Sequence, residues 1–180
     1  MRGTLTHALL EHLPALPQRD WDAAAEAFLA NRAGLLPDQV RREIARETLA
    51  VLKAPALAPL FGPRSRAEVA IAAEVPHPAR GGALMRLTGK IDRLVHTGDA
   101  VLIVDYKTNR PPPSDAAHVA EAYLLQLAAY RLGVARIFPE IPIRAAILWT
   151  DGPRIMEIAS DVLDSWQQRL WQLDPTSLDA

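Results

Sequence analysis

Two carboxylates and an amine in the middle of this chain are spaced for chemistry. Asp92 stands in Gly89-Lys90-Ile91-Asp92-Arg93-Leu94, and Asp105 and Lys107 stand in Val104-Asp105-Tyr106-Lys107-Thr108. His96-Thr97-Gly98-Asp99 between them is a turn signal, so the carboxylates belong to neighbouring strands. Two like charges held close are unfavourable unless a proton or cation compensates them, and a hard divalent cation is the simplest compensation. Asp105 and Lys107 are two apart, which puts their side chains on one strand face while Tyr106 points the other way. A strand-end aspartate alone is an ordinary turn cap or arginine partner, and a lysine beside it an ordinary ion pair. Together the three suit metal-assisted hydrolysis of a phosphodiester. The carboxylates hold Mg²⁺ or Mn²⁺, and the lysine faces the attacking water or the charge that develops on the phosphate.

Such a site needs a scaffold, and the pattern supplies one. Residues 4–13 read as a helix with an apolar stripe of Leu5, Leu9, Leu10 and Leu13, capped by Thr4 or Thr6 and ended by Pro14 and Pro17. Helices over 20–33, with Asp20 as N-cap, and 37–53, entered through Pro37 and Asp38, follow, then a helical turn at 56–61. Strands are expected over 67–75, 83–95 and 100–107. In the last, Val101-Leu102-Ile103-Val104 is continuously apolar, as suits a strand buried on both faces. After the stiff loop Arg110-Pro111-Pro112-Pro113-Ser114 comes the longest helix, 115–136, then strands 143–150 and 154–158 and a helix capped by Asp161 to about residue 173. A long helix after a central strand implies a crossover and a partly parallel sheet. The fold class is α/β, a mixed sheet flanked by helices.

Composition narrows the function. The chain has 180 residues and a formal net charge of -1, without the basic excess of a free-standing DNA-binding protein. A nuclease of this charge relies on local basic patches or on a partner for its grip on DNA. The absence of cysteine excludes disulfides, thiolate zinc sites, iron–sulfur ligation and a cysteine nucleophile. No apolar run approaches the length of a membrane span, and no GxxxxGK[ST] phosphate loop is present.

Gly89–Leu94, Val104–Thr108 and Gln126-Leu127-Ala128-Ala129-Tyr130 resemble the signature of RecB-like nucleases of the PD-(D/E)XK superfamily, most of all the C-terminal nuclease domain of AddA-type helicase–nuclease subunits. Ser65-Arg66-Ala67-Glu68-Val69, Leu148-Trp149-Thr150-Asp151-Gly152 and Gly3-Thr4-Leu5-Thr6-His7 fit the same pattern. The resemblance implies a restriction-endonuclease-like core at 63–174, preceded by a helical segment, 1–62, and followed by a tail, 175–180. It implies that His7, otherwise an ordinary helix histidine, ligates the metal with Asp92, Asp105 and the Tyr106 carbonyl. His12 lies about 140° around the helix and outside the site. Gln126 and Tyr130, four apart on one helix face, are implied to stand beside the site, orienting Lys107 or touching a phosphate. Glu68 is balanced between a salt bridge and a place in the site. Arg93, Arg110 and Arg131 are candidate phosphate contacts.

The implied activity is Mg²⁺- or Mn²⁺-dependent cleavage, by an exonuclease, of single strands fed from broken duplex ends for recombinational repair in the cytoplasm. The implied partners are DNA, a helicase motor in the same longer chain and an AddB-type subunit; no membrane is involved. The chain reads as a domain cut from a larger protein. A non-cleaving DNA-binding scaffold of the same complex is the alternative, opposed by the complete set of Asp92, Asp105 and Lys107. The stand-alone branch that carries an iron–sulfur centre is disfavoured by the lack of cysteine.

Overall fold

In the computed structural model, which describes residues 1–172, helices cover both faces of a five-stranded sheet. The strands β1 (Ser65–Pro76), β2 (Leu84–His96), β3 (Val101–Lys107), β4 (Ile143–Trp149) and β5 (Arg154–Ile158) lie across it in chain order. Only β3 and β4 run parallel, and they are the pair joined by the helix α4 (Glu121–Ile137), as a crossover requires. The N-terminal helices are α1 (Arg2–His12), α2 (Trp21–Arg32) and α3 (Asp38–Lys53), and the chain closes with α5 (Ser160–Leu170). This is the expected α/β, restriction-endonuclease-like mixed sheet.

The apolar run of β3 is continuous because each face meets a different helical layer. Leu102, Val104 and Tyr106 pack with Leu5, Leu9 and Leu10 of α1 and Leu52 of α3. Val101 and Ile103 pack with Leu124 and Leu127 of α4 and Leu163 of α5. Apolar surface removed from water at these two interfaces favours folding by about 25 cal/mol per Å².

Four helix starts differ from expectation. The leucine stripe carries α1 back to Arg2, so Thr4 and Thr6 lie inside the helix and cap nothing, and Thr6 is buried. The expected helix at 115–136 is split. Asp115 caps a short 3-10 turn, Ala116–His118, by accepting from the Ala117 N–H (3.0 Å); Val119 and Ala120 then turn extended before α4 begins. Asp20 holds the N-cap position of α2 without a side-chain capping bond, and α5 starts at Ser160, which moves Asp161 inside it. The expected tail, 175–180, lies outside the described residues.

The β1–β2 hairpin changes faces part-way along. Val95 belongs to the α1–α3 layer and Arg93 reaches the Leu10 carbonyl there, yet Ile91, of the same parity, packs towards α4. On β1, Ser65 meets Arg93, whereas Val69 and Ile71 pack towards α4. The period of two breaks where Glu68 stands between the register pairs Ala67–Arg93 and Val69–Ile91, and therefore opposite Asp92. Glu68 has φ +52°, the only positive φ at a non-glycine residue among those described.

Candidate active site

α1, β2 and β3 bring the expected residues together. Burial of Leu5, Leu9 and Leu10 fixes the rotation of α1 and turns His7 towards the strand ends. His7 Nδ1 stands 3.1 Å from Asp92 Oδ1, and Nε2 stands 3.1 Å from the Tyr106 carbonyl oxygen. The Tyr106 N–H donates to Asp92 Oδ2 (2.6 Å), which ties β3 to β2 at the site. Both groups facing His7 accept, so the imidazolium satisfies both. Burial lowers the His7 pKa, but the hydrogen bond and charge of Asp92, joined by Asp105 and Glu68, outweigh it, and the pKa stands above its ordinary 6.5.

Asp105 lies deeper, at 3% exposure, with Oδ2 2.7 Å from Lys107 Nζ. Burial pushes its carboxyl above the usual carboxylate range, Lys107 opposes the shift, and the charge of Asp92 adds to it. Oδ2 makes no well-angled hydrogen bond, so the ammonium is its compensation.

Lys107 is held from three sides. Besides Asp105, Gln126 Oε1 accepts from it at 3.1 Å, and its ammonium sits 4.1 Å from the centre of the Tyr123 ring. An ammonium only donates, which fixes the orientation of the Gln126 amide. The amide nitrogen donates to the Tyr130 hydroxyl (3.1 Å), and the hydroxyl donates to the Lys90 carbonyl (2.9 Å). Lys107, Gln126 and Tyr130 thus form one directed relay that ends on the backbone of β2.

A cleft of about 540 Å³ opens over these residues, lined by His7, Glu68, Lys90, Asp92, Lys107 and Tyr123 among others. Donor atoms of His7, Glu68 and Asp92 all lie within 4.8 Å of one another, while Asp105 is turned to Lys107. Carboxylates, a carbonyl and an imidazole suit a hard divalent cation, and an acidic group this buried needs positive charge near it. The residues present fit the expected metal. Tyr123 was not singled out in the sequence, although it precedes Gln126 by three positions, a spacing that shares a helix face.

The arginines fall elsewhere. The expectation that Arg93 contacts phosphate is corrected. Arg93 is 4% exposed, donates to the Tyr106 hydroxyl (2.7 Å), Ser65 Oγ (3.0 Å) and the Leu10 carbonyl (2.8 Å), and stacks over Phe61. It joins β2 to β3, β1 and α1 and is buried away from the surface where DNA would bind. Arg131 pairs with Asp164 (2.6 Å) on the α4–α5 seam, and Arg110 pairs with Glu47 of α3; neither lines the cleft. No helix among the described residues is long and apolar enough to cross a membrane.

The family described as PD-(D/E)XK nuclease superfamily matches residues 1–179. An ATP-dependent helicase/nuclease subunit from Moorella thermoacetica is 30% identical over 158 residues, covering 76% of this chain. The chain spans 10% of that relative's length. A solved structure titled "Crystal structure of SSO0001" is similar at 19% identity and a TM-score of 0.40, covering 98% of this chain and 75% of that one.

Proposed function

The chain belongs to the PD-(D/E)XK nuclease superfamily, and from that premise we propose that it is a metal-dependent deoxyribonuclease domain, working as an exonuclease on single strands delivered from broken duplex ends. The observation that carries the reading is the convergence of His7, Asp92 and the Tyr106 carbonyl beside the buried Asp105–Lys107 pair.

His7, Asp92, Asp105 and the Tyr106 carbonyl are the ligands for Mg²⁺ or Mn²⁺. When bound, that cation polarises the scissile phosphate and neutralises charge in the in-line displacement. Lys107 presents its ammonium to the cleft, where it orients the attacking water and stabilises the developing negative charge. Gln126 and Tyr130 hold the lysine in register with the strands, and Tyr123 bounds its other side. Arg110, close after the cleft-lining Thr108 and Asn109, is the arginine best placed for a phosphate.

The name of the Moorella relative supports a place within an ATP-dependent helicase–nuclease; in our reading that assembly processes double-strand breaks in the cytoplasm. The motor lies in the same longer chain, and an AddB-type subunit is its partner. Delivery by a motor also accounts for a nuclease whose formal charge is -1.

The test is cleavage of end-labelled single-stranded DNA by this chain with Mg²⁺ or Mn²⁺, beside Asp105→Ala and Lys107→Ala. Metal-dependent cleavage that both substitutions abolish is expected. A folded wild type that neither cleaves nor binds Mn²⁺ would leave a scaffold domain instead.

A further inference from the structure

We infer that the bare face of the β1–β2 hairpin is a track for single-stranded DNA adjoining the cleft, gripped by Lys90, Thr88 and Arg86. The inference rests on the nuclease reading and names where its substrate runs beyond the scissile phosphate.

β2 pairs with β3 only over Arg93–His96, so the rest of the hairpin leaves the body of the sheet. Its odd-numbered residues are covered: Ile71 packs towards α4, and Val75 and Leu87 pack with Leu170 of α5. Its even-numbered residues point the other way and are exposed. Ala70, Ala72 and Glu74 on β1 stand opposite Lys90, Thr88 and Arg86 on β2.

The row begins in the cleft, which Lys90 lines. There Lys90 pairs with Glu68, yet its side chain remains 63% exposed. Thr88 and Arg86 follow at intervals of about 7 Å along the strand, leading away from the site. An ordinary solvated strand face is the competing account, and such a face pairs its charges across the strands. Arg86 faces Glu74 without pairing with it, and among the described residues it has no carboxylate partner. The exposed alanines argue the same way: strands are depleted in alanine, and here two of them leave a shallow floor beside the basic row. From Ala70 to Lys90 the hairpin carries Arg80, Arg86 and Lys90 against Glu74, in a chain whose formal charge is -1. The face is two strands wide, with about 5 Å between strands, which seats one phosphate backbone and not the two of a duplex. No tryptophan, tyrosine or phenylalanine lies in this stretch, so the grip is on phosphates and is independent of sequence.

The chain has no cysteine, so Thr88→Cys can carry a single thiol-linked photocrosslinker. With labelled oligothymidylate in EDTA, which prevents metal-dependent cleavage, crosslinking is expected at Thr88→Cys and not at Arg32→Cys, an exposed position at the end of α2. In the same buffer, fluorescence anisotropy compares the wild-type chain with Arg86→Glu, Arg86→Ala and Arg32→Glu, each shown by circular dichroism to be folded. Arg86→Glu is expected to weaken binding roughly tenfold at low salt, and Arg86→Ala to flatten the salt dependence by about 0.7, one phosphate's share on a single strand. Arg32→Glu makes the same change of net charge and should bind like wild type. Equal losses in Arg86→Glu and Arg32→Glu would reduce the effect to net charge and overturn the inference. So would wild-type affinity in Arg86→Glu, or crosslinking no stronger at Thr88→Cys than at Arg32→Cys. Metal-dependent cleavage that Lys107→Ala abolishes would, in those cases, leave the nuclease reading standing without the track. A wild type that binds no strand overturns the inference, and one that also cleaves none overturns both.

Discussion

Gly89 makes room for Tyr130. A Cβ built on Gly89 would stand 2.6 Å from Cε1 of the Tyr130 ring and 3.1 Å from its hydroxyl. The ring lies against the backbone of β2 with its hydroxyl on the Lys90 carbonyl, and that contact anchors the relay through Gln126 to Lys107. Gly89 and Tyr130 are therefore parts of one device, although 41 positions separate them in the chain.

Gly89→Ala is expected to push Tyr130 off β2 and let the Lys107 ammonium drift. Overpacking of this kind costs about 1–3 kcal/mol. Thermal melts should show the loss, and DNA cleavage should fall further than a surface substitution of equal destabilisation would explain.

Tyr130→Phe keeps the ring and removes the hydroxyl, leaving Gln126 Nε2 and the Lys90 carbonyl each short of a partner. The expected loss of stability is about 1 kcal/mol by denaturant unfolding. Cleavage should fall less than in Lys107→Ala, because Gln126 and Tyr123 still hold the ammonium.

Lys107→Met strands a carboxylate that is 3% exposed. Breaking a buried ion pair in this way costs about 3–5 kcal/mol. The double variant Asp105→Asn/Lys107→Met should recover much of that stability while remaining inactive. Unfolding and cleavage measured together would separate the two effects; a double variant no more stable than Lys107→Met would show that the pair carries no such strain.

His7 predicts a pH dependence in metal-free protein. Its folded pKa is raised above 6.5, so its contribution to stability is present in full below that value and is lost as pH rises through the raised one. The stability difference between wild type and His7→Asn, followed in EDTA, should therefore shrink from mildly acidic to mildly alkaline pH. A difference that stays level or grows would contradict the charged His7–Asp92 contact.

Arg93→Met should destabilise the protein without changing its use of salt. Its guanidinium has three buried or half-buried hydrogen-bond partners, each such bond contributing about 1.5–3 kcal/mol. A phosphate contact would instead show as a shallower dependence of DNA affinity on salt, with the slope reduced by about one. The expected result is a lower Tm and an unchanged slope.

What the sequence by itself determined is local in origin. Residue type and a spacing of two put Asp105 and Lys107 on one strand face, a spacing of four put Gln126 and Tyr130 on one helix face, and the run at Val101–Val104 marked a strand covered on both sides. The parallel β3–β4 pair followed from the length of its crossover. Only the tertiary structure decided what depends on distant surfaces meeting. Arg93 carries the same charge on a surface or in a core, and packing against Leu10, Tyr106 and Phe61 assigned it to the core. The start of α4 was settled by a competing cap at Asp115. Glu68 reached the site because one residue left the extended backbone and reversed the faces of β1, and a pattern that counts by twos has no term for a single left-handed φ.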